Sequence, residues 1–345
     1  MRNATRALFC AFVSQIALLN SVPIEANASA ITQFTVDPSV EQKLETRMQE
    51  SSDFLGKINV YGVDELKGEL IGLGVTSTIA GRTNTDNADR PTQDPTGLDQ
   101  RGYELFQTNF DTHLGYAKLD TWAKFPDFQT RIRDAILKRI ALDRIMIGWN
   151  GTSAAVQTNR VTYPLLQDVN IGWLQKMRTE NAARVMQEVV EDSDQVTVGE
   201  GGDYATLDAL VYDAKNSLLA EWAKEDTELV VIVGSDLLHD KYFPMINRDD
   251  DPTEQIARDV IMSTKRMGGL PAIRVPFFPA GTVFITRLDN LSIYYQNGKR
   301  RRAIIDNPKR NRIENFESSN EGYVIEDLEY ACMVENITIL DNEEA

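Results

Sequence analysis

Few residues in this chain can do chemistry. It holds two histidines, His113 and His239, and two cysteines, Cys10 and Cys332, all far apart in sequence. That inventory supplies neither a histidine-centred triad nor a zinc site with metal-ligand spacing. Two cysteines at opposite ends make no disulfide framework and read as reduced thiols. The segment LVVIVGS, Leu229–Ser235, has the form of a strand entering a nucleotide-binding turn. A phosphate cradle needs several close glycines at a helix N-terminus, yet Gly234 stands alone and neither GxGxxG nor GxxxxGK[ST] occurs. A buried core strand is the better reading. Gly199, Gly201 and Gly202 cluster ahead of a helix, but Glu200 and Asp203 put like charge where an anion would sit, so a hinge is expected. Carboxylates abound, as at Asp249–Asp251 and Glu326-Asp327, without a pair whose setting marks an acid and a base. The dense basic run is Lys299, Arg300, Arg301 and Arg302, continued by Lys309, Arg310 and Arg312. It can meet nucleic acid, but in an acidic chain an electrostatic match to another subunit is the stronger reading. No catalytic residue, metal or cofactor is nominated.

The rest of the composition agrees with a non-catalytic role. Among 345 residues, 52 are acidic and 36 basic, a net charge of -16. Such a surface repels nucleic acid at long range and argues against a dedicated DNA-binding protein. It allows a protein that surrounds DNA without gripping it. The length suits two or three packed lobes. Beyond the first few dozen residues no apolar run reaches membrane-spanning length, and no membrane partner is expected.

The N-terminus carries two readings. Arg2 and Arg6 precede the apolar stretch Ala7–Leu19, and Ala28-Ser29-Ala30 offers an A-x-A site, the pattern of a secretory signal. Against export, Ser14 and Gln15 interrupt the apolar stretch. Leu8, Phe12, Ile16 and Leu19 recur at helical spacing, which fits a short amphipathic helix that docks on a partner.

The elements that would position these residues follow in order. Residues 34–56 read as an extended arm with a short helix near Val40–Phe54, expected to bury little on its own chain and to pack on a neighbour. Ile58–Leu114 reads as a long β-hairpin with strands Ile58–Val63 and Ile71–Ile79 and a polar tip, Gly81–Gln100. On its return limb Phe106, Thr108, Phe110, Thr112 and Leu114 alternate with polar residues, the period of a half-buried strand. A long helix follows, with Phe128, Ile132, Ala135, Leu142, Ile145 or Met146, and Trp149 on one stripe. Pro126 marks its start or a kink, and Asn150-Gly151 ends it. A second helix is expected over Leu166–Glu180. An α/β lobe spans Tyr204–Asn297. In it Asp203 caps a helix with the stripe Leu207, Val211, Ala214, Leu218 and Trp222. Leu229–Val233 is a strand, Pro252–Lys265 a helix, and Ala272–Val275, Val283–Thr286 and Leu291–Tyr295 are strands. Tyr323–Asp327 and Cys332–Ile339 are strand-like, and Asp341–Ala345 is a loose tail.

Several longer stretches resemble one known family. They are FTVDPSV (Phe34–Val40), MQESSDFLGKINV (Met48–Val60), NFDTHLGYAKLDTWAKFPDFQTRIRDAILKR (Asn109–Arg139) and LLQDVNIGWLQKMR (Leu165–Arg178). GGDYATLDALVYDA (Gly201–Ala214), LVVIVGSDLLHDKYFP (Leu229–Pro244), LPAIRVPFFPAGTVFITRLDNLSIYY (Leu270–Tyr295) and NPKRNRIENFESSNEGYVIEDLEYACMVE (Asn307–Glu335) continue the series. In order and through nearly the whole chain, these resemble the major capsid proteins of P2-like (peduovirus) tailed bacteriophages.

The resemblance implies an α+β, Hong Kong 97-type capsid fold. Residues 1–33 would be a scaffold-docking segment removed in maturation, 34–56 the arm, and 57–115 the extended loop. Residues 116–200 would form a peripheral domain with a spine helix, 201–297 an axial domain, 298–340 return strands of the peripheral domain, and 341–345 a tail. It implies self-assembly into hexamers and pentamers of an icosahedral head. The implied partners are an internal scaffold that is also the protease, a portal protein, and double-stranded DNA enclosed without sequence-specific binding. By position the processing site would fall within Ala30, Ile31, Thr32, Gln33 and Phe34. The front departs from the family, whose N-terminal segment is more charged than Ala7–Leu19. The Lys–Asn cross-link of some capsids of this fold has no matching constellation here. The competing expectations are a secreted or periplasmic binding protein, from the N-terminal pattern, and a nucleotide-dependent enzyme, from Leu229–Ser235.

Overall fold

A computed structural model describes residues 1–24, 28–70, 72–75, 80, 82–83, 85, 89–90, 92, 96–99, 101–125, 127–246 and 265–340. The helix expected at Pro252–Lys265, apart from Lys265, and the tail Asp341–Ala345 lie outside the described residues, as do Pro126 and half of the tip Gly81–Gln100.

Two sheets organise the chain. In the seven-stranded sheet, β1 (Ile31–Thr35), β16 (Arg301–Asn307), β17 (Arg312–Ile325), β15 (Leu291–Gln296) and β2 (Asn59–Val63) lie side by side. β7 (Phe106–Asn109) and β8 (Thr112–Gly115) also pair with the long β17. The six-stranded sheet runs β12 (Arg266–Met267), β13 (Leu270–Arg274), β11 (Val230–Val233), β14 (Val283–Thr286), β18 (Cys332–Val334) and β9 (Val185–Met186). Its strands β11, β14 and β18 are buried on both faces, as their continuous apolar runs require. Val230, Ile232, Phe284 and Met333 face one core; Val231, Val233, Ile285 and Val334 face another, closed by α6 (Leu207–Leu218) and α7 (Ser235–Ile246). The LVVIVGS segment is thus a core strand, as its single glycine implied.

The first core also takes the end of the spine. α4 (Phe128–Asn150) is 23 residues long, roughly 34 Å at 1.5 Å per residue. Its last turns bury Leu137, Ile140, Ala141, Arg144, Ile145 and Trp149. Ala135 is exposed and Leu142 half-buried, so the stripe is rotated from the one expected, and it includes a charge. Trp149 packs on Trp173 of α5 (Trp173–Glu180) with ring centroids 4.9 Å apart, and Trp173 meets Tyr323 of β17 edge-on at 5.2 Å. The Trp173 indole N–H donates to the Ser292 and Val324 carbonyls, so the ring is buried without an orphan donor.

Several expectations need correction. The helix expected over Leu166–Glu180 begins only at Trp173, because Leu166 holds a left-handed φ of 59° and the chain makes turns up to Gly172. α6 is capped by Thr206, whose side chain accepts from the Ala209 N–H, whereas Asp203 accepts from Thr197. Trp222 lies past the helix end, more than half exposed, against Tyr330. The long hairpin is shorter than expected. β3 (Lys67–Glu69) pairs with β6 (Gly102–Glu104), and β4 (Gly72–Val75) with β5 (Thr96–Asp99); β2 and the return limb instead join the large sheet. The alternation along Phe106–Leu114 does hold, with Thr108 and Phe110 buried between exposed Gln107, Asn109 and Asp111.

The arm, expected to lie on a neighbour, packs on its own chain: β1 pairs β16, α2 (Pro38–Glu50) buries Met48 against α4, and Phe54 and Leu55 enter the first core. A boundary at residue 297 does not separate the sheets either. β15, before it, belongs to the large sheet, while β18 and β19 (Ile337–Ile339), after it, join the other lobe, β19 in a parallel pair with β10 (Val196–Val198). Apolar period reports burial and is blind to which sheet does the burying.

Where α4 ends, backbone passes backbone. A Cβ on Gly172 would lie 2.4 Å from the Gly148 carbonyl oxygen and 2.6 Å from that of Ile147. Gly172→Ala is therefore expected to lower stability by about 1–3 kcal/mol, as overpacking does. A lower urea midpoint at unchanged slope is the expected reading.

Candidate functional site

The feature that ties the arm to the body is a buried charge cluster. On α2, Glu41, Glu45 and Met48 fall at i, i+4 and i+7 and share the inward face. On β17, Glu317, Ser319, Glu321 and Tyr323 alternate inward at period two. Between them stands Arg144, its side chain 1% exposed. Its guanidinium forks to two carboxylates at once. Nη1 and Nη2 lie 2.6 and 3.0 Å from the two oxygens of Glu45, and Nη2 and Nε lie 2.6 and 3.0 Å from those of Glu321. Arg300, fully buried just before β16, places Nη1 2.6 Å from Glu45 and Nε 2.7 Å from Glu317. The half-buried Arg302 adds a third cation 4.0 Å from Glu317. Three carboxylates thus face three guanidiniums, the condition under which burial of charge is tolerable.

Electrostatics follow from that balance. Burial pushes the Glu45 carboxyl up, but Arg144 and Arg300 together outweigh it and hold it below its ordinary value. Glu317 is likewise held down by Arg300 and Arg302 against burial. Glu41, at the edge, is pushed up by burial, with only the Gly298 N–H donating to it at 3.0 Å.

The residues expected at the processing site sit directly beside this cluster. β1 is the edge strand of the large sheet. Its register with β16 slips between Ile31 and Phe34, so that Thr32 and Gln33 bulge outward and are exposed. Ala30 is exposed, Ile31 buried and Phe34 half-buried. Upstream, α1 (Asn3–Leu19) lays Phe9, Val13, Ile16 and Ala17 on Ile31, Leu119, Ile304 and Ile313. Its buried stripe is one position off that expected: Leu8 and Leu19 face outward, 44% and 56% exposed. Asp120 of α3 (Tyr116–Trp122) accepts from the Arg2 backbone N–H at 2.8 Å. The helix expected to dock on a partner thus packs first on its own sheet.

With this geometry in view, comparison with known proteins is decisive. A model of the phage major capsid protein, P2 family, matches residues 8–337. The chain belongs to that family. It is 50% identical over 347 residues to the capsid proteins of Escherichia phage P2, covering 99% of this chain and 96% of the relative. It is 40% identical to the major capsid protein of Serratia phage KSP20, over 99% of each. A solved chain of the satellite phage P4 procapsid including size determination (Sid) protein matches with a TM-score of 0.81 at 49% identity, over 99% of both chains. The capsid of an empty GTA particle matches at 14% identity with a TM-score of 0.53, over 84% of this chain and 90% of that one, a likeness of fold alone.

The protein is therefore a major capsid protein of a tailed phage with the α+β Hong Kong 97-type fold, and its place is the virion capsid. Neither the export reading nor the nucleotide-enzyme reading finds support. Among the described residues no helix is long and apolar enough to cross a membrane.

The basic run also needs correction. Arg300 does not reach the surface, Arg302 donates to the Asn315 side chain, and Arg312 pairs with Glu314 on its own strand. Lys299, Arg301, Lys309 and Arg310 remain exposed. Sequence reading missed Arg144, although its position four after Ile140 and one before Ile145 put a charge on the buried stripe. It missed Glu45 for the same reason.

Removing one partner leaves buried charge uncompensated, so Arg144→Ala is expected to cost about 3–5 kcal/mol in urea unfolding of the capsid subunit. Glu45 and Glu317 have lowered values when folded. Their contribution is fully present above the ordinary value of 4.5 and is lost as pH falls below it through the folded values. The urea midpoint should drop below pH 4.5, and Glu45→Gln should drop less over the same interval.

Proposed function

We propose that the subunit assembles into hexamers and pentamers of an icosahedral head, around an internal scaffold that is also the maturation protease. A portal protein completes the shell, double-stranded DNA is enclosed without sequence-specific contact, and the subunit catalyses nothing. The observation that carries this is the ribbon beyond the large sheet. Its outer rungs, β4 and β5, pair only with each other among the described residues. A lone two-stranded ribbon is marginal in water, so its stable setting is the surface of a neighbouring subunit. The matched P4 chain comes from a procapsid, which supports the same assembly here. The net charge of -16 suits a shell lining that releases DNA rather than binding it.

Processing follows from the edge strand. The front of the chain is held by the apolar face of α1 and by β1, and a protease takes its substrate extended, the form that the exposed Thr32-Gln33 bulge already presents. The cut falls within Ala30–Phe34 and releases α1.

Two measurements test this. Electron microscopy of the chain co-expressed with its scaffold should show closed shells, and soluble monomers would overturn the assembly. Intact-mass measurement of the virion subunit should give a start within Ala30–Phe34; a chain beginning at Met1 would overturn the processing.

A further inference from the structure

A second surface asks for a partner. Between the N-terminal half of α4, α3 and the β7–β8 strands lies a cleft of about 600 Å³. Its floor is apolar, with Leu114, Leu119, Ile136 and Ile140, and its rim is cationic, with Lys118, Arg131, Arg139 and Arg160. Asp111 and Asp143 are the acidic lining residues; Arg139 engages Asp143 at 2.6 Å, and Arg131 engages Asp127 at 2.8 Å. Residues 116–139 carry six cations against three anions in a chain whose net charge is -16.

The complement of this cleft is on the same chain. Beyond β9, the edge strand of the six-stranded sheet, the loop 187–194 exposes Val189 and Val190 by 47% and 59%. Glu188, Glu191, Asp192 and Asp194 flank them in the chain, and the loop 187–194 itself carries no cation. The loop is shaped rather than slack. The Asp194 N–H donates to Glu188 at 3.0 Å, and Asp192 and Asp194 hold left-handed φ values of 63° and 51°. Two adjacent exposed valines ringed by carboxylates match an apolar floor ringed by guanidinium and ammonium groups. The valines are exposed, so the loop does not seat in its own cleft.

We propose that loop 187–194 of one copy seats Val189 and Val190 in the α3–α4 cleft of the next. Two different patches of identical subunits then meet, a head-to-tail contact that closes into a ring when its rotation allows. The contact deepens the ring assembly proposed above, and rests on it.

Cysteine cross-linking tests the proximity directly. Ala135 lines the cleft and is exposed, while the native Cys10 and Cys332 are both buried. Shells made from chains carrying Val190→Cys and Ala135→Cys together should, on mild oxidation, give a ladder of cross-linked species ending at closed pentamers and hexamers. Either substitution alone should give none. Shells without the ladder would mean that the cleft holds another occupant, the ribbon of a neighbour or the scaffold, and would overturn the contact; so would a ladder stopping at dimers.

A charge exchange covers the case in which those substitutions block assembly. Lys118→Glu with Arg160→Glu, or Glu191→Lys with Asp192→Lys, should each cut shell yield by roughly tenfold or more by setting like charges face to face. All four together should restore it. Unchanged yield from either pair, or no recovery in the combination, would overturn the proposal. Closed shells from the unsubstituted chain in the same experiment keep the ring assembly intact whichever way the contact falls.

Discussion

The double fork of Arg144 is the constraint on which the arrangement of the arm depends. One planar guanidinium reaches a carboxylate on α2 and another on β17, and Arg300 links the same α2 carboxylate to a third. Buried ion pairs of this kind add little to stability against a well-packed apolar alternative, since desolvation takes back most of the Coulombic gain. Their effect is on geometry. Bidentate pairing tolerates only narrow ranges of distance and angle, so α2 has one rotation and one height at which both forks close. An apolar seam would let the arm helix slide by a turn; this one does not.

That fixed arm sits against a body whose two lobes share a core. The six-stranded sheet presents alternate residues to the α6–α7 side and to the Trp149–Trp173 cluster, and the large sheet contributes Ile293, Tyr323 and Ile325 to that same cluster. Burying each such side chain is worth about 1.5–3 kcal/mol relative to exposure. A lobe boundary drawn through this core would expose it, so the lobes are held as one packed unit.

How much of this was legible in the sequence depends on the kind of signal. Period-two alternation at Phe106–Leu114 and the apolar run at Leu229–Val233 report burial directly, and both elements stand where the pattern put them. Helical stripes were readable to within a position, as at α1 and α4, because a stripe of apolar residues wide enough to pack has ambiguous edges. The charged cluster was hidden by a sound rule. Arg and Glu are mostly exposed, so Arg300 was grouped with its basic neighbours and Glu45 with the polar arm. Only the pairing of residues some 99 to 255 positions apart makes their burial possible, and no local pattern carries that. The extended arm misled for the same reason: α2 buries two carboxylates beside a single Met48, and the apolar Phe54 and Leu55 follow only after it.

The cluster also draws the line between what the subunit keeps and what it can lose. α1 is held by apolar contact and a few half-exposed polar ties, such as Arg2 to Asp120 and Arg6 to Asp306, and β1 by one edge of a sheet; from Val36 onward the chain is locked. The Val36 N–H donates to the Arg300 carbonyl at 2.8 Å, Asp37 caps α2, and Glu45 closes both forks. The cut proposed within Ala30–Phe34 would therefore remove α1 while leaving every charged contact of α2 in place. Under the processing proposed above, loss of α1 would uncover Leu119, Ile304 and Ile313, an apolar surface that α1 covers in the full chain. The two ends of one short arm thus have different physics: a front held mainly by apolar contact and a base locked by buried charge. That division would let the proposed cut alter the subunit's surface without loosening its frame.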